Sequence, residues 1–229
     1  MNMKYSYQFD FDNGTSLKYE VDIARAGAID DGAVPEPADW VALNYCQCSN
    51  CPLKKSEHKY CPAALDIQQV VNDFRAQPAF QKVSVKVKGG DRNYEKRTGL
   101  EEGLRSLMGL ILATSRCPIL SELKPMAVNH LPFSSNDEFI MRSVSIYLLH
   151  QYFNMRANLK PDWELSGLVE RNKRLQLVNQ ALWQRIHSAC ESDSNLKALL
   201  SFFSMSSSVS FSLESQLSKL KSHLVSGKE

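Results

Sequence analysis

Two hydrophobic periods divide the chain. Tyr5, Tyr7, Phe9 and Phe11 alternate with polar residues, and so do Leu17, Tyr19, Val21 and Ile23. A period of two is what a strand with one buried face requires. Asp12-Asn13-Gly14 lies between the runs, and Asn-Gly readily supplies the positive φ angles of a tight turn. The segment therefore predicts a β-hairpin. Lys82 to Lys88 repeats the pattern, with Val83, Val85 and Val87 set against outward lysines. Gly89-Gly90-Asp91-Arg92-Asn93 then turns the chain into Tyr94 to Arg97, a second hairpin.

From Thr98 the period becomes about 3.6. Leu100, Leu104, Leu107, Met108, Ile111 and Leu112 form one apolar stripe, and Thr98 with Glu101 has the spacing of a capping box. Gly99, Gly103 and Gly109 lower helix propensity there, which predicts close packing against a neighbour. Pro118 stops this helix. Ser135 and Glu138 form a second capping box, opening a helix that runs towards Phe153. Asp162 can cap a longer one bearing Leu168, Leu175, Val178, Leu182, Ile186 and Ala189. Leu196, Leu199, Leu200 and Phe203 mark a short helix, and Leu213, Leu217, Leu220 and Leu224 stripe the last. Ahead of the second hairpin, Leu65, Ile67, Val70, Val71 and Phe74 predict a further short helix. Ala26 to Asp39, rich in Gly, Pro, Ala and Asp, reads as a loop.

Strands first and helices afterwards mean an α+β fold. Residues 1–97 form an antiparallel β-rich half with a cysteine-rich knot. Residues 98–229 form a helical region packed with it as one unit.

Composition narrows the function classes. The 229 residues are 43% hydrophobic and 23% charged, with a formal charge of +2. That is an ordinary globular balance, without the basic excess of a nucleic-acid-binding domain. No apolar run approaches the ~20 residues of a membrane helix, and the first residues lack a signal-peptide apolar region. These features predict a cytoplasmic protein.

Cysteine spacing carries the chemistry. Cys46, Cys48, Cys51 and Cys61 lie together, whereas Cys117 and Cys190 stand alone. Local clustering without a signal peptide favours metal over disulfides. Cys48-x-x-Cys51 is a metal knuckle, and Cys46 and Cys61 complete a four-sulfur set suited to structural zinc, with His58 as reserve ligand. An iron–sulfur cluster is the less favoured cofactor, since thiolates and Cys-Pro steps occur in both kinds of site. Reduced cysteines packed without metal are the plain alternative. Four thiolates leave no open position for water, and Glu57 is the only carboxylate in the loop, so the site reads as scaffold rather than hydrolase.

A second polar stretch runs from Thr114 to Phe133. Cys117, beside Arg116, is a candidate nucleophile or redox thiol with His130 as its base. The plainer reading packs Cys117 as a small hydrophobe and bonds His130 to a loop backbone.

Longer motifs connect these pieces: Cys48-x-x-Cys51-Pro52-Leu53, Cys61-Pro62, Ser115-x-Cys117-Pro118, Lys124-Pro125-Met126-Ala127-x-x-His130-Leu131-Pro132-Phe133 and Tyr147-Leu148-Leu149-x-Gln151-Tyr152-Phe153. On these the chain resembles a family of uncharacterised bacterial proteins of this length, a domain of unknown function. It departs from that family's pattern at Arg116 and at Val128-Asn129. The resemblance implies a bacterial origin and one fold holding both the cysteine knot and the 115–133 stretch. It implies no activity.

The expectation is a non-enzymatic, zinc-stabilised module for regulation or protein binding. A Cys117–His130 enzyme or redox sensor, or an iron–sulfur sensor, is the alternative.

Overall fold

A computed structural model describes residues 4–24, 36–75, 77, 81–189 and 213–224. The first two strands, β1 (Lys4–Phe11) and β2 (Ser16–Asp22), pair antiparallel around the Asn13-Gly14 turn, where Gly14 takes φ 85°. The second hairpin is β3 (Lys82–Gly89) and β4 (Arg92–Gly99). β3 also pairs antiparallel with β1, matching Phe9 to Val85 and Tyr7 to Val87. The sheet order is β2-β1-β3-β4. Both predicted hairpins are thus joined along their first strands.

The alternating residues give the sheet one apolar face. Tyr5, Tyr7, Phe9, Phe11, Tyr19, Val21, Val83, Val85 and Val87 are all buried. Their core also takes in helix α1 (Pro62–Phe74) and helix α2 (Leu100–Ala113). Phe74 stacks with Tyr19 and meets Phe9 edge-on, and Tyr19 Oη donates to Asp73 Oδ2 at 2.7 Å. β4 is the polar edge, burying only Thr98. Charged edges of this kind resist pairing with other chains.

The helical half continues through a 3-10 turn (Leu120–Leu123) and short helix α3 (Lys124–Val128) to α4 (Asn136–Arg156), α5 (Ser166–Ala189) and α6 (Leu213–Leu224). The Ser135–Glu138 capping box forms as expected, each side chain accepting from the other residue's backbone N–H. The Thr98–Glu101 box does not. Thr98 belongs to β4, its hydroxyl donates to Glu102, and Gly99 caps α2 without a side-chain bond. Strand pairing to Val83 claims the Thr98 backbone instead. α2 ends at Ala113, short of Pro118, where Thr114 Oγ1 donates back to Leu110 O and Ile111 O. Asp162 caps α5 from outside the helix, accepting from Gly167 N at 2.7 Å. Of the α2 glycines, Gly103 faces Phe9 and Val85 closely, whereas a Cβ on Gly99 would meet nothing.

A smaller cluster of Ile140, Val144, Leu168 and Leu213 joins α4, α5 and α6. The helix predicted around Leu196–Phe203 and most of the Ala26–Asp39 loop lie outside the described residues. Among the described residues no helix is long and apolar enough to cross a membrane.

Candidate thiol centre and polar cavity

Short-range bonds shape the cysteine segment. Cys51 N donates to Cys48 O at 3.1 Å, closing the Cys-x-x-Cys turn. Leu43 N donates to Lys59 O and Cys61 N to Val41 O, pairing 41–43 with 59–61 around an Ala42–Tyr60 bridge. Cys61 then serves as the residue before α1, whose Pro62 starts the helix without needing an N–H partner. Gln47 Nε2 donates to Leu53 O, and Asn50 Nδ2 reaches Arg174 O on α5.

The fold brings a fourth thiol from far along the chain. The Cys48 thiol is pushed up to about 12, by burial first and then by the charges of Cys61, Cys117 and Cys51. Cys117 is pushed up to about 11 by burial, and it feels Cys61 and Cys51. Burial also raises Cys61, which feels Cys51 in turn. Four thiols thus share one electrostatic neighbourhood, with Cys61 and Cys117 in the core and Cys48 and Cys51 packed against it. The start of α1 therefore lies beside the turn after α2.

Backbone amides and one cation oppose the burial. The N–H groups of Ala64 and Ala63 point at the Cys61 thiol, and those of Leu120 and Ile119 at Cys117. Arg185, on α5 and 1% exposed, lowers Cys48 and Cys61. Its guanidinium donates to Trp40 O and Ala42 O at 2.7 Å and to Leu43 O at 3.1 Å. Among the described residues no carboxylate is within ion-pair range of it. Donors and a cation aimed at sulfur favour the thiolate, the form that binds metal.

The ligand set expected from spacing is Cys46, Cys48, Cys51 and Cys61, with His58 in reserve. Among the described residues no three Cys, His, Asp or Glu side chains converge as one metal ion requires. Cys46 takes the left-handed conformation, φ 50°. His58 turns back through its N–H to Lys54 O, and exposed Glu57 pairs with Lys54 at 3.3 Å. All five described cysteines are free thiols, and Cys190 lies outside the described residues. The sequence did hold a signal for Cys117. Cys51, Cys61 and Cys117 are each followed by proline, whereas Cys46 and Cys48 are not.

His130 makes its side-chain hydrogen bond to the first strand. His130 Nε2 lies 2.5 Å from Tyr7 Oη, which also bonds Ser106 Oγ at 2.8 Å. Burial, aided by the Arg142 charge, pushes the imidazole down to about 3, so it is neutral. This network borders a cavity of about 130 Å³ among α2, α3, α4 and α5.

The family match agrees with both features belonging to one fold. A family model described as a domain of unknown function (DUF6901) matches residues 4–225. The chain belongs to that family. No curated protein and no solved structure matches the chain.

Proposed function

We propose that this DUF6901 chain is a metal-cofactor protein in which Cys48, Cys51, Cys61 and Cys117 together hold an iron–sulfur cluster. The observation that carries the reading is the meeting of Cys117 with the Cys-x-x-Cys pair and Cys61 beside a buried Arg185 that has no ion pair among the described residues. A buried guanidinium without a counter-charge is costly. A centre ligated by four thiolates is net negative and offsets it, which four neutral thiols would not.

Two features favour a cluster over a single zinc. Zinc at ~2.3 Å from four sulfurs needs them roughly 3.8 Å apart, whereas these thiols interact without three converging on one point. Three of the four also sit in Cys-Pro steps, a setting found among cluster ligands. The zinc scaffold is the second reading, and the Cys51–Cys48 knuckle bond supports it. In either case four thiolates leave no water-binding position, so the role is redox sensing, regulation or protein binding rather than hydrolysis, in a cytoplasmic setting.

Anaerobic purification followed by iron, sulfide and zinc analysis tests the choice. A brown protein with iron and acid-labile sulfide, bleached by air, is expected. A colourless protein with one zinc per chain selects the scaffold. No metal after reconstitution overturns both.

A further inference from the structure

The cavity of about 130 Å³ is too large for a stray water, which occupies roughly 10–15 Å³ by the same kind of measure. Leu110, Leu123, Met126, Phe139 and Leu175 make its walls predominantly apolar. Its polar groups have one sign. Arg105 and Arg142 line it, and among the described residues no Asp or Glu does. Arg105 leans towards Glu102, 3.9 Å away. Arg142 feels the Glu138 charge one turn earlier on α4, but among the described residues no carboxylate comes within ion-pair distance of it. Its Nη2 donates to the carbonyls of Met126 and Asn129, which orient the guanidinium without neutralising it, and its buried Nε has no acceptor.

Two further observations point at the cavity. Asn179 is 7% exposed, lines the cavity, and makes no side-chain hydrogen bond among the described residues. Its amide therefore opens onto the cavity space and is free to bond an occupant. Phe133, also on the wall, sits at φ 59°, a conformation that is strained for an aromatic residue. Such strain persists where surrounding structure imposes it, often at ligand sites.

We propose that this cavity binds a small amphipathic carboxylate, with its hydrocarbon tail among the α2, α3 and α5 side chains and its head group at Arg142 and Asn179. A guanidinium and an amide N–H both donate to carboxylate oxygens, and a charge-assisted bond is about twice as strong as a neutral one. The neutral His130 adds no competing charge. The inference does not depend on the cysteine centre, although the cavity shares a wall with it: Leu120 lines the cavity while its N–H points at Cys117.

The test is calorimetric titration of the full chain with hexanoate, octanoate and decanoate, against octanol and octylamine. One saturable site for a carboxylate is expected, with octanol about tenfold or more weaker and octylamine without binding. Arg142→Met should bring octanoate down to octanol's level. If that variant does not fold, Asn179→Leu, with its fold checked by circular dichroism, should weaken octanoate by about tenfold or more. Octanol binding as tightly as octanoate, octylamine binding better, or no saturable binding by the unmodified chain would each overturn the proposal.

Discussion

Tyr7 Oη lies 2.5 Å from His130 Nε2, so the middle of the first strand holds the loop that follows α3. This bond links residues far apart in sequence and makes stability depend on pH. The unfolded imidazole takes its proton near 6.5, while burial delays protonation in the folded chain to about 3. Below pH 6.5 the unfolded state therefore binds more protons. Stability is full above that value and falls with acid, by up to about 1.4 kcal/mol per pH unit, until about pH 3. Urea unfolding at pH 7.0 and 4.5 should show the loss. Above pH 4.5 the lowered carboxyls of Asp10, Asp12 and Asp162 contribute little, and the smaller loss from Glu102, lowered from 4.5 against burial by its Lys96 and Thr98 bonds, persists in a His130 variant. His130→Gln should flatten the profile, and an unchanged slope in that variant would refute the assignment.

Arg185 sets up a second prediction. Its three carbonyl acceptors at Trp40, Ala42 and Leu43 tie α5 to the segment leading into the cysteines. Arg185→Met leaves the Trp40 and Leu43 carbonyls without the Arg185 donor, while Ala42 O keeps the Tyr45 N–H, so a loss of about 2–4 kcal/mol is expected. Arg185→Lys keeps the charge but not the planar fork, and should fall between. The shift in urea midpoint at constant m-value reads both. A Met variant as stable as the parent would mean the carbonyls find other donors.

These two bonds show what the sequence could and could not say. Three strands of the sheet were legible because they alternate and one face is buried, which leaves little freedom of register, and the polar edge β4 was legible through the Gly89–Asn93 turn. Most helices were legible through their stripes and the Ser135–Glu138 box. Thr98–Glu101 has the same local spelling, but Thr98 is held in the ladder against Val83, a competition invisible to local spacing. The thiol centre was half legible. Cys48, Cys51 and Cys61 cluster in sequence, whereas Cys117 reaches them only through the packing of α1 on α2. The Tyr7–Ser106–His130 network left no sequence signal, because its three members come from β1, α2 and the loop after α3.

The ligand set is open to a direct comparison of serine variants. Cys48→Ser, Cys51→Ser, Cys61→Ser and Cys117→Ser should each lose most bound metal, whereas Cys46→Ser should retain it. Metal per chain after identical anaerobic reconstitution is the measurement. Loss at Cys46 with retention at Cys117 would restore the contiguous set read from spacing alone. Equal retention in all five would mean that none of them is a required ligand.

Gly103 offers a test of how tightly α2 rests on the sheet. Alanine is favoured over glycine inside a helix by about 1 kcal/mol, so propensity alone makes Gly103→Ala stabilising. Packing opposes it. The new Cβ would stand 2.7 Å from Phe9 Cε1 and 2.9 Å from Val85 Cγ2, and both side chains are fully buried. Neither is a flexible chain end that can swing into solvent, so the helix must lift or the ring must shift. Overpacking of this kind costs about 1–3 kcal/mol, enough to outweigh the propensity gain. Net destabilisation is expected in urea unfolding. A double-mutant cycle with Phe9→Leu separates the causes, because the smaller side chain makes room for the methyl group. The pair should lose clearly less than the sum of the two single variants. Strict additivity would show that the ring does not limit the approach of α2 to the sheet.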